Sequence, residues 1–171
     1  NQTIEIKNVT HQYAEAKENA IENISLTIHK GDCLGIIGIS GSGKTTLLRI
    51  LLRLLQEQSG QLTVDGIKVD DSHLQSWWNL LGYVQQEVYI LDGSVIENVA
   101  FGEYRDAVNM EKLERSINLA GLRRFINGLP MGLQTNLGEL GAKISGGQSQ
   151  RIGIARALYK DAEVFLFDEI T

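Results

Sequence analysis

The chain has 171 residues, a net charge of −5, 43% hydrophobic and 22% charged residues, and one cysteine, Cys33. That length suits one domain with a sizeable core, and the composition excludes a disordered chain. A general nucleic-acid binder needs clustered Lys and Arg, which the acidic balance argues against. No apolar run approaches the roughly 20 residues of a membrane span, the start lacks a signal peptide's apolar segment, and a single cysteine excludes an internal disulfide or a cysteine-based metal cluster. A reducing cytosol is the expected setting.

Taken in order, Thr3 to Val9 alternates apolar and polar residues as a half-buried strand does. Tyr13 follows in a loop-like stretch. Ile24 to Ile28 alternates again, and His29-Lys30-Gly31-Asp32 turns the chain, so the two strands read as an antiparallel lead-in. Cys33-Leu34-Gly35-Ile36-Ile37 is expected to be a buried strand, with Cys33 an inert apolar residue inside it. It runs into Gly38-Ile39-Ser40-Gly41-Ser42-Gly43-Lys44-Thr45, which fits G-x-x-x-x-G-K-[ST] without mismatch, and a helix is expected from Thr46 to Leu52. Strand, glycine-rich turn and helix in that order form the context of a phosphate-binding loop. Glycines let the backbone turn several N–H groups toward one point, where the helix N-terminus adds partial positive charge. Lys44 is placed to reach the β- and γ-phosphates, and Thr45 to ligate Mg²⁺. Binding of a nucleoside triphosphate is the expectation.

Further on, Gln61 to Val64, Asp65-Gly66 and Ile67 to Val69 predict a hairpin with a type I′ turn. A short helix is expected over 70–80, where the adjacent Trp77 and Trp78 cannot share a face, so one should be buried and the other exposed. Gly82-Tyr83-Val84 reads as a strand leading into Gln85-Gln86. Helical patterns follow at 94–100, at Met110, Leu113 and Ile117, and at 123–127, with Arg123-Arg124 a solvated face. Ser145-Gly146-Gly147-Gln148 opens a helix through Leu158, a second helix start suited to an anion. Val164 to Phe167 reads as a buried parallel strand ending in Asp168 and Glu169 at its C-terminal edge, where open α/β sheets place ligands. There Asp168 is expected to hold Mg²⁺ through water, and Glu169 to orient or deprotonate an attacking water.

Phosphate loop, Ser-Gly-Gly-Gln and acidic strand, in this order, resemble the nucleotide-binding domain of ABC transporters from the first strand to the last residue. The resemblance implies an α/β fold: a P-loop NTPase core with an antiparallel β lead-in subdomain and a helical insert. One ATP-binding domain would span 1–171, with lead-in and core at about 1–86 and 159–171 and the helical subdomain at about 87–158. It implies ATP and Mg²⁺ as cofactors. Gly38, Ser40, Gly41, Ser42, Gly43, Lys44, Thr45 and Thr46 would cradle phosphates, and Tyr13 would stack on adenine. Gln86 matches the family's Q-loop glutamine, which meets Mg²⁺ and the membrane domain; with Thr45 and Asp168 it would form the metal set, and with Lys44 and Glu169 the catalytic set. Leu91 to Gly102 and Leu137-Gly138-Glu139-Leu140-Gly141, similar to the X-loop, point to the exporter branch.

Partners implied are a second such domain, closing head to tail so that Ser145, Gly146, Gly147 and Gln148 of one copy face the nucleotide of the other, and a transmembrane domain fused N-terminally, which would hold the motor at the cytoplasmic face of a membrane. No nucleic acid is expected as partner. Ile144 replaces the signature's usual Leu, Ser149 stands where a basic residue is frequent, and Ile170 where a small one is usual. The D-loop and switch histidine would follow Thr171, and His11, His29 and His73 fall too early to serve. The resemblance therefore implies the ATP-binding and ATP-hydrolysing motor domain of an exporter or flippase half-transporter, driving transport across a membrane. It is C-terminally truncated here, so the fragment is expected to bind ATP with little turnover. The competing readings are a soluble ABC ATPase acting on DNA or ribosomes, and a regulatory module that binds ATP without turnover. The short spacing between phosphate loop and signature, together with the acidity, speaks against the first, and the intact acidic pair against the second.

Overall fold

The computed structural model describes residues 3–138 and 144–168. The chain divides into two compact units, 1–78 and 79–171.

In the first unit, β1 (Thr3–His11), β2 (Ile21–His29), β3 (Ser59–Val64) and β4 (Ile67–Lys68) form one antiparallel sheet in the order β2-β1-β3-β4. Alternation sets the register: Ile6 faces Leu26 on one side and Leu62 on the other, and Ile6, Val9 and Leu62 are buried. Between Ile6 and Val9 the ladder slips at a bulge, where Asn8 takes φ 51°. The Ser25 hydroxyl satisfies that bulge, accepting from the Asn8 amide and donating to the Asn8 side-chain oxygen. Asp65 and Gly66 at φ 50° and 80° form the expected turn between β3 and β4.

Helix α1 (Lys44–Leu51) buries Thr46, Leu47, Leu48, Ile50 and Leu51. Its last carbonyls have no partner within the helix. Helix α2 (Leu74–Leu80) supplies them: Trp77 Nε1 donates to Leu51 O at 2.7 Å and Trp78 Nε1 to Leu52 O at 2.9 Å. Trp77 is buried and Trp78 half-exposed, as adjacent helical positions require.

The run 33–37 departs from expectation. It forms no strand, Cys33 is exposed, and Leu34, Ile36 and Ile37 lie open to solvent. An unbroken apolar run marks a strand that needs parallel neighbours and cover on both faces. The antiparallel sheet of this unit provides neither.

In the second unit, β5 (Leu81–Val84) and β6 (Val164–Phe167) pair in parallel, Leu81 with Val164 and Val84 with Phe167. Parallel pairing was expected for β6 and is found, but the expected burial is not: Phe165 and Phe167 stand 36% and 42% exposed, their rings stacked at 6.2 Å. With β5 as its one neighbour among the described residues, β6 has no second layer to cover its outer face. Helices α3 (Val95–Val99), α4 (Met110–Leu119), α5 (Arg123–Asn127) and α6 (Gly146–Tyr159) surround a core of Val95, Val99, Leu113, Ile117, Leu122, Ile126, Leu137 and Ile152. Met110, expected on the apolar stripe of α4, is exposed. It is the first residue of the helix, at the edge of the buried stripe of Leu113, Ser116 and Ile117. Arg123 lies on a surface pairing with Glu114 and Asn118.

Two glycines let α6 lie directly on β5. A Cβ on Gly82 would come within 2.6 Å of Ala157 Cβ, and one on Gly153 within 2.9 Å of Val88 Cγ2. A polar knot then fixes α6 to the segment that follows β5. Asn98, fully buried, donates to the carbonyls of Leu91, Gly93 and Ser94, and its oxygen accepts from Leu91 N and Arg156 Nη2. Arg156 also donates to Asn98 O and Tyr89 O and lies over the Phe101 ring, while burial lowers its pKa. A partly buried guanidinium held by neutral oxygens is costly unless its inward N–H groups are placed. Asn98→Ala leaves several buried groups unpaired and should destabilise the chain by about 2–4 kcal/mol, read from the urea midpoint.

Candidate functional site

The phosphate loop belongs to the first unit. Gly41 and Gly43 take φ 81° and 87°, and Gly43 is the N-cap of α1, so the chain turns left-handed twice before the helix begins. The Ser42 amide donates to Ile39 O at 3.2 Å, closing the turn. A Cβ on Gly38 would meet Ser42 Oγ at 2.5 Å, so the loop folds close enough on itself that a side chain there would displace the Ser42 hydroxyl. Gly43 lies against the start of β2: a Cβ there would be 2.4 Å from Ala20 O and 2.7 Å from Ile21 Cγ2.

Among the described residues no side chain caps α1, and its first turn holds no acid. Its N-terminal amides and its positive dipole end are thus left to an anion. Lys44 opens the helix and folds back, its ammonium donating to Gly38 O and Ile39 O at 2.8 Å each. Ser40, Gly41, Ser42 and Thr45 are exposed, and Thr46 is buried. The Tyr13 hydroxyl lies 3.2 Å from Thr46 Oγ1, bringing the predicted stacking aromatic to the helix that carries the loop.

The other predicted residues belong to the second unit. Parallel register sends the C-terminal ends of β5 and β6 to one edge, so the exposed Gln86 and the half-buried Asp168 follow neighbouring strand ends. Asp168 N donates to Val84 O at 3.0 Å, and its carboxylate accepts from Tyr83 Oη at 3.3 Å. Tyr83 was not singled out in the sequence; the parallel register is what brings it to the acid. Glu169 and Ile170, and Glu139, Leu140 and Gly141 of the X-loop-like stretch, lie outside the described residues.

Ser145 caps α6 in a reciprocal box. Its hydroxyl accepts from Gln148 N at 3.3 Å, and Gln148 Oε1 accepts from Ser145 N at 2.9 Å. Ile144, the departure from the usual Leu, packs against the helical core and keeps its apolar function. Gly146 and Gly147 are exposed, neither has a positive φ, and a Cβ on either would meet nothing within 4 Å. Glycine in a helix costs up to about 1 kcal/mol relative to alanine. Among the described residues nothing requires glycine at these two positions.

A family model described as ABC transporter matches residues 21–171. The chain belongs to that family. Curated relatives named ATP-dependent lipid A-core flippase share 39% identity with it over 165 residues in Cupriavidus metallidurans, 38% over 170 residues in Ralstonia nicotianae and 40% over 168 residues in Xanthomonas axonopodis pv. citri. The matches cover 96–98% of this chain and 28% of each relative's length. A solved bacterial Atm1-family ABC exporter with ATP bound superposes with a TM-score of 0.88 at 32% identity, over 98% of this chain and 29% of that one. The fold is therefore that of the ABC transporter's P-loop ATP-binding domain, α/β with an antiparallel lead-in. Among the described residues no helix is long and apolar enough to cross a membrane.

The space around the first turn of α6 decides what a side chain there would do to stability. Gly147→Ala should leave the thermal unfolding midpoint unchanged or raise it, by no more than about 1 kcal/mol of stability.

Proposed function

We propose that this chain is the ATP-binding and ATP-hydrolysing motor of an ABC exporter, driving transport by ATP-dependent head-to-tail pairing with a second such domain. The observation that supports it most directly is the cradle at α1: two left-handed glycines, an uncapped helix start and a lysine whose ammonium rests on the loop's own carbonyls. Those neutral acceptors are exchanged for charged phosphate oxygens when a triphosphate enters, a gain because charge-assisted hydrogen bonds are roughly twice as strong as neutral ones.

In this reading residues 1–171 act as one ATP-binding domain. Gly38 to Thr46 hold the phosphates, and Tyr13 stacks on the base. The Thr45 hydroxyl, the Gln86 amide oxygen and the Asp168 carboxylate are all oxygen donors, the ligand type Mg²⁺ takes. Mg²⁺ bound there supplies neutralisation of the phosphate charge. Asp168 is kept in place by Tyr83 and by the ladder to β5. Glu169 orients or deprotonates the attacking water. Ser145, Gly146, Gly147 and Gln148 close over the nucleotide of the second copy, which accounts for two glycines that nothing among the described residues requires. The Gln86 segment passes the motion to a membrane domain, which places the motor at the cytoplasmic face of the membrane.

The relatives that this chain resembles, flippases and an exporter, favour this reading over a soluble ATPase acting on DNA or ribosomes.

In the full-length protein, Lys44→Ala should weaken ATP binding by about tenfold or more, measured with a fluorescent ATP analogue. Glu169→Gln should cut turnover about a hundredfold or more and accumulate an ATP-bound dimer visible by size-exclusion chromatography. Normal turnover in Glu169→Gln would remove that carboxylate from the mechanism.

A further inference from the structure

We infer that His11 is a positioning residue for Tyr13, and that the Tyr13 hydroxyl ties the base-stacking ring to the phosphate loop through Thr46. The inference rests on the proposed nucleotide site and adds to it how the base platform is held.

His11 ends β1, paired with Ile21, and its carbonyl accepts from Ala20 N at 2.8 Å. Its side chain lies in the interior, the residue being 8% exposed. His11 Nδ1 is 2.9 Å from Gln56 O, and a carbonyl can only accept, so Nδ1 carries the proton. Nε2 is buried and without a hydrogen-bond partner among the described residues. A phenyl ring in this space would leave no nitrogen bare. What the imidazole adds is one hydrogen bond to the backbone, which fixes the rotation of the ring.

That fixed ring meets Tyr13 almost at right angles, 87° with centroids 5.1 Å apart, an arrangement aromatic pairs prefer. Tyr13 remains 38% exposed, so part of its ring is open. Its hydroxyl is 3.2 Å from Thr46 Oγ1, on the buried side of the first turn of α1. The same corner holds the close approach of Gly43 to Ala20 and Ile21. Sheet end, aromatic pair and phosphate loop are thus fixed to one another before any nucleotide arrives. Pre-ordering the ring lowers the entropy lost when a base stacks on it.

The test is equilibrium binding to the full-length protein, with ATP and inorganic tripolyphosphate each displacing a fluorescent ATP analogue. His11→Ala should weaken ATP about three- to tenfold and leave tripolyphosphate within about twofold, since only the base uses the ring. His11→Phe keeps the ring contact but loses the hydrogen bond to Gln56 O, and should recover only part of the ATP affinity. Tyr13→Phe keeps the stacking face and loses the tie to Thr46; it should weaken ATP about two- to fivefold and spare tripolyphosphate. Equal losses for both ligands would mark His11 as merely structural and overturn the inference, as would unchanged ATP affinity in His11→Ala or a His11→Phe variant no better than alanine. Unchanged ATP affinity in Tyr13→Phe would overturn the tie through Thr46. A wild-type protein that binds neither ligand would overturn the nucleotide site itself, and this inference with it.

Discussion

The seating of Gly43 is the constraint on which the first unit's chemistry depends. With φ 87° and the Ala20 carbonyl 2.4 Å from where a Cβ would be, the position admits glycine alone. That contact presses the phosphate loop onto the end of the β1–β2 ladder, and everything that would touch a phosphate is measured from it. α1 starts at the next residue, so the direction of its dipole and the position of its free amides follow from one backbone torsion. Lys44, first in the helix, is brought within reach of the loop's carbonyls for the same reason. A left-handed N-cap without a side-chain cap is a poor way to stabilise a helix of eight residues. It is a good way to leave N–H groups for a ligand.

The second unit solves a different problem, that of holding a long helix start and two strand ends in fixed relation. It does so by close approach and by buried polar bonds. Gly82 and Gly153 remove the side chains that would separate β5 from α6. Asn98 and Arg156 then connect α6 to the segment after β5 through directed hydrogen bonds, which resist sliding in a way that apolar contact does not. In consequence Ser145 with its two glycines, Gln86 and Asp168 all belong to one compact unit.

Much of this was legible in the residues. The phosphate-loop pattern, the alternation of β1 and β2, the Asp65-Gly66 turn, the split roles of Trp77 and Trp78 and the Ser145 helix start are local features, and local physics fixes them: positive φ, period of burial, capping. What failed were statements about environment. The run 33–37 has the composition of a buried strand, yet burial is given by neighbouring strands and cover, not by the run itself. The same holds for Phe165 and Phe167 on β6. Met110 has the right spacing on α4 but sits at its first residue, at the edge of the buried stripe.

The sequence by itself determined the family, through the order of its motifs, and where a glycine must bend the chain. These follow from residue type and spacing over a few positions. Tertiary structure alone decided which distant residues meet. It set Tyr83 beside Asp168 through parallel register, His11 against Tyr13, Tyr13 against Thr46, and Asn98 beneath Arg156, pairs separated by up to 85 positions in the chain. Pairing at such separations costs loop-closure entropy that no local signal encodes. It appears only when the sheets and helices that bring those positions together have formed.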